Sequence, residues 1–72
     1  MLHVQMKNLE QTRLEIAKTG KSLRSFSKDI GISQGYLSQI LCGKKKPSPT
    51  IAYKISNGLG VGFEDIFFIH ND

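Results

Sequence analysis

The chain has 72 residues, a formal net charge of +4 and 39% hydrophobic residues. At roughly 100–150 residues for a typical domain, this length allows one domain over residues 1–72 and no second one. Its apolar runs are only a few residues long, far below the roughly 20 that cross a bilayer, so no membrane partner is expected. The chain is too short to shelter a deep catalytic cleft easily and shows no Ser/His/Asp set, so we expect no enzymatic activity and no small-molecule substrate.

The first part of the chain predicts two helices. Residues from about 5 to 18 are expected to form the first helix, with Lys18 in its last turn, where a cation is favourable. Ser22 is a suitable N-cap for a second, short helix over residues 23–30. Gly31 follows and can adopt a positive φ at little steric cost, so a turn is predicted there.

The third predicted helix covers residues 34–42, between Ser33, which can cap its first turn, and Gly43. At 100° per residue, one arc of this helix is apolar and should face the core: Tyr36, Leu37, Ile40 and Leu41. The other arc is small, polar and uncharged: Gln34, Gly35, Ser38, Gln39 and Cys42. An ordinary solvated helix face carries Glu and Lys instead. Because Gln can bond bidentately to adenine and Ser to several bases, this arc is suited to base edges, with plain exposed glutamines as the alternative.

The last two predicted helices follow a basic loop. Ser48 followed by a proline is a strong start signal for a helix over residues 49–59, because proline suits the first helical position. A last helical turn or two is expected over residues 63–68. No stretch sustains a period-two alternation with β-branched residues, so no strand is predicted and the fold class is all-α.

The positive charge is concentrated in the middle of the chain. Residues 18–54 contain eight Lys or Arg against one Asp, whereas residues 55–72 contain three acidic residues and no Lys or Arg. This distribution favours a polyanionic partner such as nucleic acid. Anionic lipid would also be attracted, and lysines that merely keep a small protein soluble account for the charge alone equally well. A membrane-surface amphipath is disfavoured because lysines lie in a loop and the apolar residues are needed for a core.

The surroundings of the third helix strengthen the nucleic-acid interpretation. Amide groups at the helix starts after Ser22 and Ser33 can donate to phosphates. Three lysines just after the third helix are placed to contact a DNA backbone: Lys44, Lys45 and Lys46. Two helices joined by a short turn, the second with a neutral hydrogen-bonding face, describe a helix-turn-helix.

At these positions the sequence resembles the Cro/repressor-type (XRE-like) helix-turn-helix family of phage and mobile-element regulators. The resemblance is gapless from about Gly20 to Phe67. It includes the cap and turn residues Ser22, Phe26, Ile30, Gly31, Ile32 and Ser33, then Leu37, Ser38 and Ile40, the basic loop from Gly43 to Ser48, the segment Leu59-Gly60-Val61 and the turn Glu64-Asp65-Ile66-Phe67.

The resemblance implies a compact five-helix bundle whose third helix enters the major groove of double-stranded DNA. It implies base contacts from Gln34, Gly35, Ser38 and Gln39. It implies DNA backbone contacts from Ser22, Ser33, Tyr36, Lys44, Lys45 and Lys46. The implied function is a sequence-specific transcriptional regulator, expected to be a repressor that binds an operator as a homodimer. The competing hypothesis is an antitoxin or adaptor-type protein-interaction module, because fold does not fix function.

The chain also departs from the family pattern. Leu23 stands where many members have a Gln that braces the first recognition glutamine. Ile16 and Leu41 stand where many members pair Arg with Glu, which is consistent with hydrophobic packing in place of an ion pair. Near the end of the chain there are more large apolar side chains than one helical turn can bury. One or two of them are expected to form a symmetric dimer contact, with simple core closure as the alternative: Phe63, Phe67, Phe68 and Ile69.

Residues with metal or redox chemistry are isolated in the sequence. Cys42 is the only cysteine, which excludes an intramolecular disulfide and fits a reducing, cytoplasmic location. An inert thiol is the favoured interpretation of Cys42. His3 and His70 lie at opposite ends of the chain without the spacing of metal ligands, so no metal site and no cofactor are predicted.

Overall fold

The computed structural model describes residues 2–71. Within that range the chain forms five helices between two terminal strands. In chain order the elements are β1 (Leu2–Met6), α1 (Leu9–Lys18), α2 (Leu23–Ile30), α3 (Gln34–Leu41), α4 (Pro49–Leu59), α5 (Phe63–Ile66) and β2 (Phe67–Asn71). No helix in residues 2–71 has the length and apolar character required to span a bilayer.

The two strands make the all-α prediction wrong in one respect. β1 and β2 pair antiparallel from Leu2 opposite Asn71 to Met6 opposite Phe67, so the two ends of the chain form one small sheet. Residues 2–6 do alternate between apolar and polar side chains, but over only five positions, and their partner strand does not alternate. Because β1 and β2 come from opposite ends of the chain, no turn sequence connects them. The sequence pattern therefore did not predict the sheet.

The strands also shorten the first and fifth helices relative to prediction. α1 begins at Leu9 rather than near residue 5, because the Asn8 side chain caps it and accepts a hydrogen bond from the Gln11 amide at 2.9 Å. α5 ends at Ile66 rather than at residue 68, since the chain continues from there into β2. Residues 67 and 68 therefore belong to the sheet.

The predicted starts of the three middle helices are confirmed. Ser22, Ser33 and Ser48 are N-caps, and each side chain accepts a hydrogen bond from the amide three residues on, at 3.1–3.3 Å. α2 ends at Gly31, whose φ of +79° is accessible to glycine at little cost. α3 ends one residue earlier than predicted, with Cys42 as its C-cap.

The core lies between the helices and the inner face of the sheet. It contains apolar side chains from both strands and from every helix: Val4, Met6, Ile16, Phe26, Leu37, Ile40, Leu41, Ala52, Ile55, Ile66 and Phe67. Ile16 and Leu41 are both buried, in agreement with apolar packing at these positions. Phe67 has no exposed surface, so its predicted place in a dimer contact is wrong. Its ring closes the core at the point where α5 becomes β2.

Candidate nucleic-acid interface

The polar arc of α3 lies on the surface of the molecule. Gln34, Gly35 and Gln39 are exposed and Ser38 is half-buried, whereas Leu37 on the opposite side has no exposed surface. The prediction from helical spacing, that the apolar arc faces the core and the polar arc faces solvent, is therefore confirmed. The four residues predicted to contact bases are together on one open face, with amide and hydroxyl groups and no charged side chain.

The short connection between α2 and α3 fixes the position of that face. The Ile32 amide donates to the Ser27 carbonyl at 3.0 Å, which closes the end of α2. Ser33 then caps α3 by accepting from the Tyr36 amide at 3.1 Å. Because Ser27 is buried between the helices, α2 and α3 pack closely and α3 is held as one rigid element of a helix-turn-helix.

The lysine loop after α3 is anchored at both ends. Gly43 has a φ of +78°, and the amides of Lys44 and Lys45 both donate to the Gln39 carbonyl, at 2.9 and 3.3 Å. Pro47 is buried, so the far end of the loop is packed against the domain. The side chains of Lys44, Lys45 and Lys46 are exposed. An ordered loop therefore presents three ammonium groups directly beyond the polar arc.

Tyr36 lies at the edge of the interface rather than in its centre. Its side chain is half-buried and packs against the core. The Lys45 ammonium group is 5.7 Å from the centre of the Tyr36 ring, within the range of a cation–π contact. The ring thus links the middle of the lysine loop to α3, and its role as a DNA backbone contact stays a prediction.

Arg24 is a neighbour of the polar arc that the sequence did not single out. Its Nε donates to the Gln34 Oε1 at 3.5 Å, from the exposed first turn of α2. Leu23, the position that the resemblance associates with bracing, is instead half-buried against the core. The position of Arg24 two residues after the cap at Ser22 was the available signal, because the first turn of α2 must approach the start of α3 in a helix-turn-helix.

Two further cations lie beside α3. A groove of about 400 Å³ is lined by residues of α1, of the α1–α2 connection, of α2 and of α3: Arg13, Ile16, Ala17, Lys21, Leu23, Ser38, Leu41 and Cys42. The Arg13 Nη2 donates to the Leu41 carbonyl at 2.7 Å, which ties α1 to the end of α3. Lys21 is paired with Asp29. Arg13 is distant from α3 in sequence, and no local pattern indicated this contact.

A family model described as helix-turn-helix matches residues 9–66, from the start of α1 to the end of α5. This chain belongs to the Cro/repressor-type (XRE-like) helix-turn-helix family. As a member of it, the protein is a DNA-binding regulator. Strands β1 and β2 lie outside the matched residues. Searches of curated proteins and of solved structures found no match.

Proposed function

We propose that this helix-turn-helix protein is a sequence-specific repressor that occupies an operator in double-stranded DNA. The observation that carries the proposal is the open, uncharged amide-and-hydroxyl face of α3, bordered by the exposed lysines of the anchored loop. A B-DNA major groove is about 12 Å wide and admits an α-helix, so base edges come within reach of such a face. Its place of action would be the cytoplasm, where a bacterial or phage operator lies.

Base recognition is assigned to four residues of α3. Gln34 and Gln39 are exposed and can donate to and accept from base edges. Ser38 is closer to the body of the domain and offers a short hydroxyl group. Gly35 has no side chain, and a Cβ built there would meet nothing within 4 Å, so the helix backbone itself can approach the groove.

Positioning on the duplex is assigned to groups on both sides of α3. Lys44, Lys45 and Lys46 would neutralise phosphates on one side, with Tyr36 beside them. The capped starts of α2 and α3, at Ser22 and Ser33, would direct backbone amides at phosphates of the same backbone. These contacts hold the register of the protein on DNA but carry no sequence information.

A homodimer is part of the proposal. Phe68 and Ile69 are consecutive on β2 and exposed by 40% and 50%, and both line one groove with the half-buried Phe63, so apolar side chains remain uncovered at this end of the fold. A twofold dimer would place two α3 helices in successive major grooves, about 34 Å apart. An operator would then consist of two inverted half-sites.

The deciding experiment is selection of bound duplexes from a randomised library. We expect a recovered motif with two inverted half-sites about one helical turn apart. The variant Gln34→Ala should lose about 1–3 kcal/mol of discrimination at one base position of each half-site. Gln11→Ala, which removes an exposed glutamine of α1 that bonds Glu15, is the matched control and should leave the motif unchanged.

Two results would contradict the proposal. Equal weakening by Gln34→Ala on every duplex would mean that Gln34 does not contact bases. Failure to retain any duplex at low salt would favour a protein-interaction module of the antitoxin or adaptor type.

A further inference from the structure

The terminal sheet brings together the two histidines of the chain. His3 and His70 are direct cross-strand partners in β1 and β2, although 66 residues separate them in the sequence. Their imidazole rings are stacked with centroids 5.4 Å apart and an angle of 27° between the ring planes. The two imidazoles are therefore close in space, although the histidines lie at opposite ends of the sequence.

The pair lies on the outer face of the sheet. Val4 and Met6 point into the core from the inner face, and His3 occupies the alternate position between them. His70 is exposed and His3 is half-buried, and the Phe68 ring lies 5.7 Å from the His70 ring on the same face. Ions in solution can therefore reach the two imidazoles without opening the core.

Imidazole is a preferred ligand of Zn²⁺, Cu²⁺ and Ni²⁺. A nitrogen of each ring binds Zn²⁺ at about 2.0–2.1 Å, so two of them on one tetrahedral ion lie about 3.3 Å apart. The ring centroids already stand 5.4 Å apart, so metal binding would require a rotation of the exposed His70 side chain and no movement of the backbone. The residues of the two strands carry no Lys, Arg, Asp or Glu, so no ammonium group on the strands repels a cation.

We infer that His3 and His70 together bind one divalent transition-metal ion, with zinc as the reference ion, and thereby fasten β1 to β2. No third His, Cys, Asp or Glu of residues 2–71 forms a metal-binding group with them, so the described part of the chain supplies two ligands. The ion would stabilise the sheet by joining the two ends of the chain, because it binds the paired strands and not the separated ones. Neither histidine lies in the α3 interface, but His70 adjoins Phe68 of the proposed dimer surface, so zinc binding is measured on the chain without DNA.

The test is a Zn²⁺ titration of the full chain, followed by NMR of the histidine ring protons. A Cys42→Ser background removes the exposed thiol, because a cysteine thiolate can bind zinc by itself. With two histidines in the chain, both ring signals can be followed directly. We expect both to change together and to saturate at one ion per chain.

Three variants in the same background distinguish zinc binding by both histidines together from zinc binding by one histidine alone. His3→Gln and His70→Gln each remove one ligand and should weaken zinc binding about tenfold or more, since two protein ligands are reduced to one. The exchange His70→Asn with Asn71→His keeps the composition and moves one imidazole to the opposite face of the sheet. It should weaken binding as much as either single variant.

Thermal unfolding gives the second measurement. Zinc should raise the Tm of the parent chain and leave the Tm of the three variants nearly unchanged, and the metal-free Tm of each variant checks that it folds. The inference would be overturned by zinc affinity in the exchange variant equal to that of the parent. A titration in which only one histidine responds, or in which no zinc binds, would overturn it as well.

Discussion

The contact between Arg24 and Gln34 bears on the base recognition that is proposed for Gln34. The guanidinium Nε donates to the Gln34 Oε1 in a long hydrogen bond of 3.5 Å, which orients the glutamine amide from the side of α2 and leaves its NH2 group available. A glutamine fixed in this way discriminates between bases better than one that rotates freely, because a rotated amide exchanges donor and acceptor. Arg24 is therefore expected to act as a positioning residue for the proposed base contact.

The variant Arg24→Ala tests that role. We expect a relaxed base preference at the position read by Gln34, in addition to an overall loss of affinity from the missing charge. Lys28→Ala is the control, since Lys28 is exposed on the same helix and forms no contact with Gln34 among the hydrogen bonds of residues 2–71. Selection of bound duplexes measures both effects. A uniform loss over all sequences would show that Arg24 contacts only phosphate.

Single residues of α3 could be assigned from the sequence because helical spacing separates an apolar arc from a polar one. Leu37, Ile40 and Leu41 are buried and the glutamines are exposed, as predicted. The Arg24 contact could not be assigned in this way. It depends on the crossing of two helices, and the resemblance placed the brace one residue earlier, at Leu23.

Packing between α2 and α4 depends on a glycine. A Cβ built at Gly58 would lie 2.5 Å from the Ile30 Cγ2 and 3.3 Å from the Phe26 ring. The first distance is well inside van der Waals contact, and the Phe26 ring is buried and cannot move aside freely. Because Gly58 has no side chain, α4 can pack closely against α2, the first helix of the helix-turn-helix.

A Gly→Ala substitution is expected to change the free energy of unfolding in opposite directions in α4 and in α3. Gly58→Ala should lower the free energy of unfolding by about 1–3 kcal/mol, because overpacking outweighs the gain in helix propensity. Gly35→Ala in α3 meets nothing within 4 Å and should raise it by about 0.5–1 kcal/mol, as expected for an open helical site. Urea unfolding of both variants measures the difference. Stabilisation by Gly58→Ala would contradict the packing argument.

The helices were predictable from the sequence to within a few residues, and the sheet was not. Serine caps and glycines mark α2, α3 and α4 locally, so their boundaries follow from neighbouring residues. The pairing of β1 with β2 joins the two ends of the chain and is decided by long-range contacts alone. The same long-range pairing explains why the proximity of His3 and His70 was invisible in the sequence.

The charge distribution of the whole chain matches its three-dimensional arrangement. The cations of residues 18–54 include the lysine loop beside α3, while the C-terminal part that forms α5 and β2 contains acidic residues and no Lys or Arg. Lys7 is an exception near the sheet, where its Nζ donates to the Glu64 carbonyl at 2.6 Å. The cations of the helix-turn-helix and its lysine loop are therefore the basic part of the molecule, and α5 and β2 contain no Lys or Arg.

The number of phosphate contacts can be measured from the salt dependence of DNA binding, because each contact releases counterions from the DNA. With about four to six phosphate contacts per dimer, log K should fall with log salt at a slope of roughly −4 to −5. Lys44→Ala removes one contact from each chain and should reduce the magnitude of the slope by about two units in a dimer. Lys18→Ala lowers the net charge equally but acts at the end of α1, where Lys18 pairs with Glu15, so its slope should equal that of the parent.

Fluorescence anisotropy with one duplex over a series of salt concentrations gives all three slopes. If the two lysine variants changed the slope by the same amount, net charge alone would determine binding. The lysine loop would then make no specific contact with the DNA backbone. If Lys44→Ala lost only about one unit, one chain rather than two would be bound per duplex, because each bound copy contributes its own Lys44. The slope therefore measures at once where the phosphates lie and how many copies of the chain contact them.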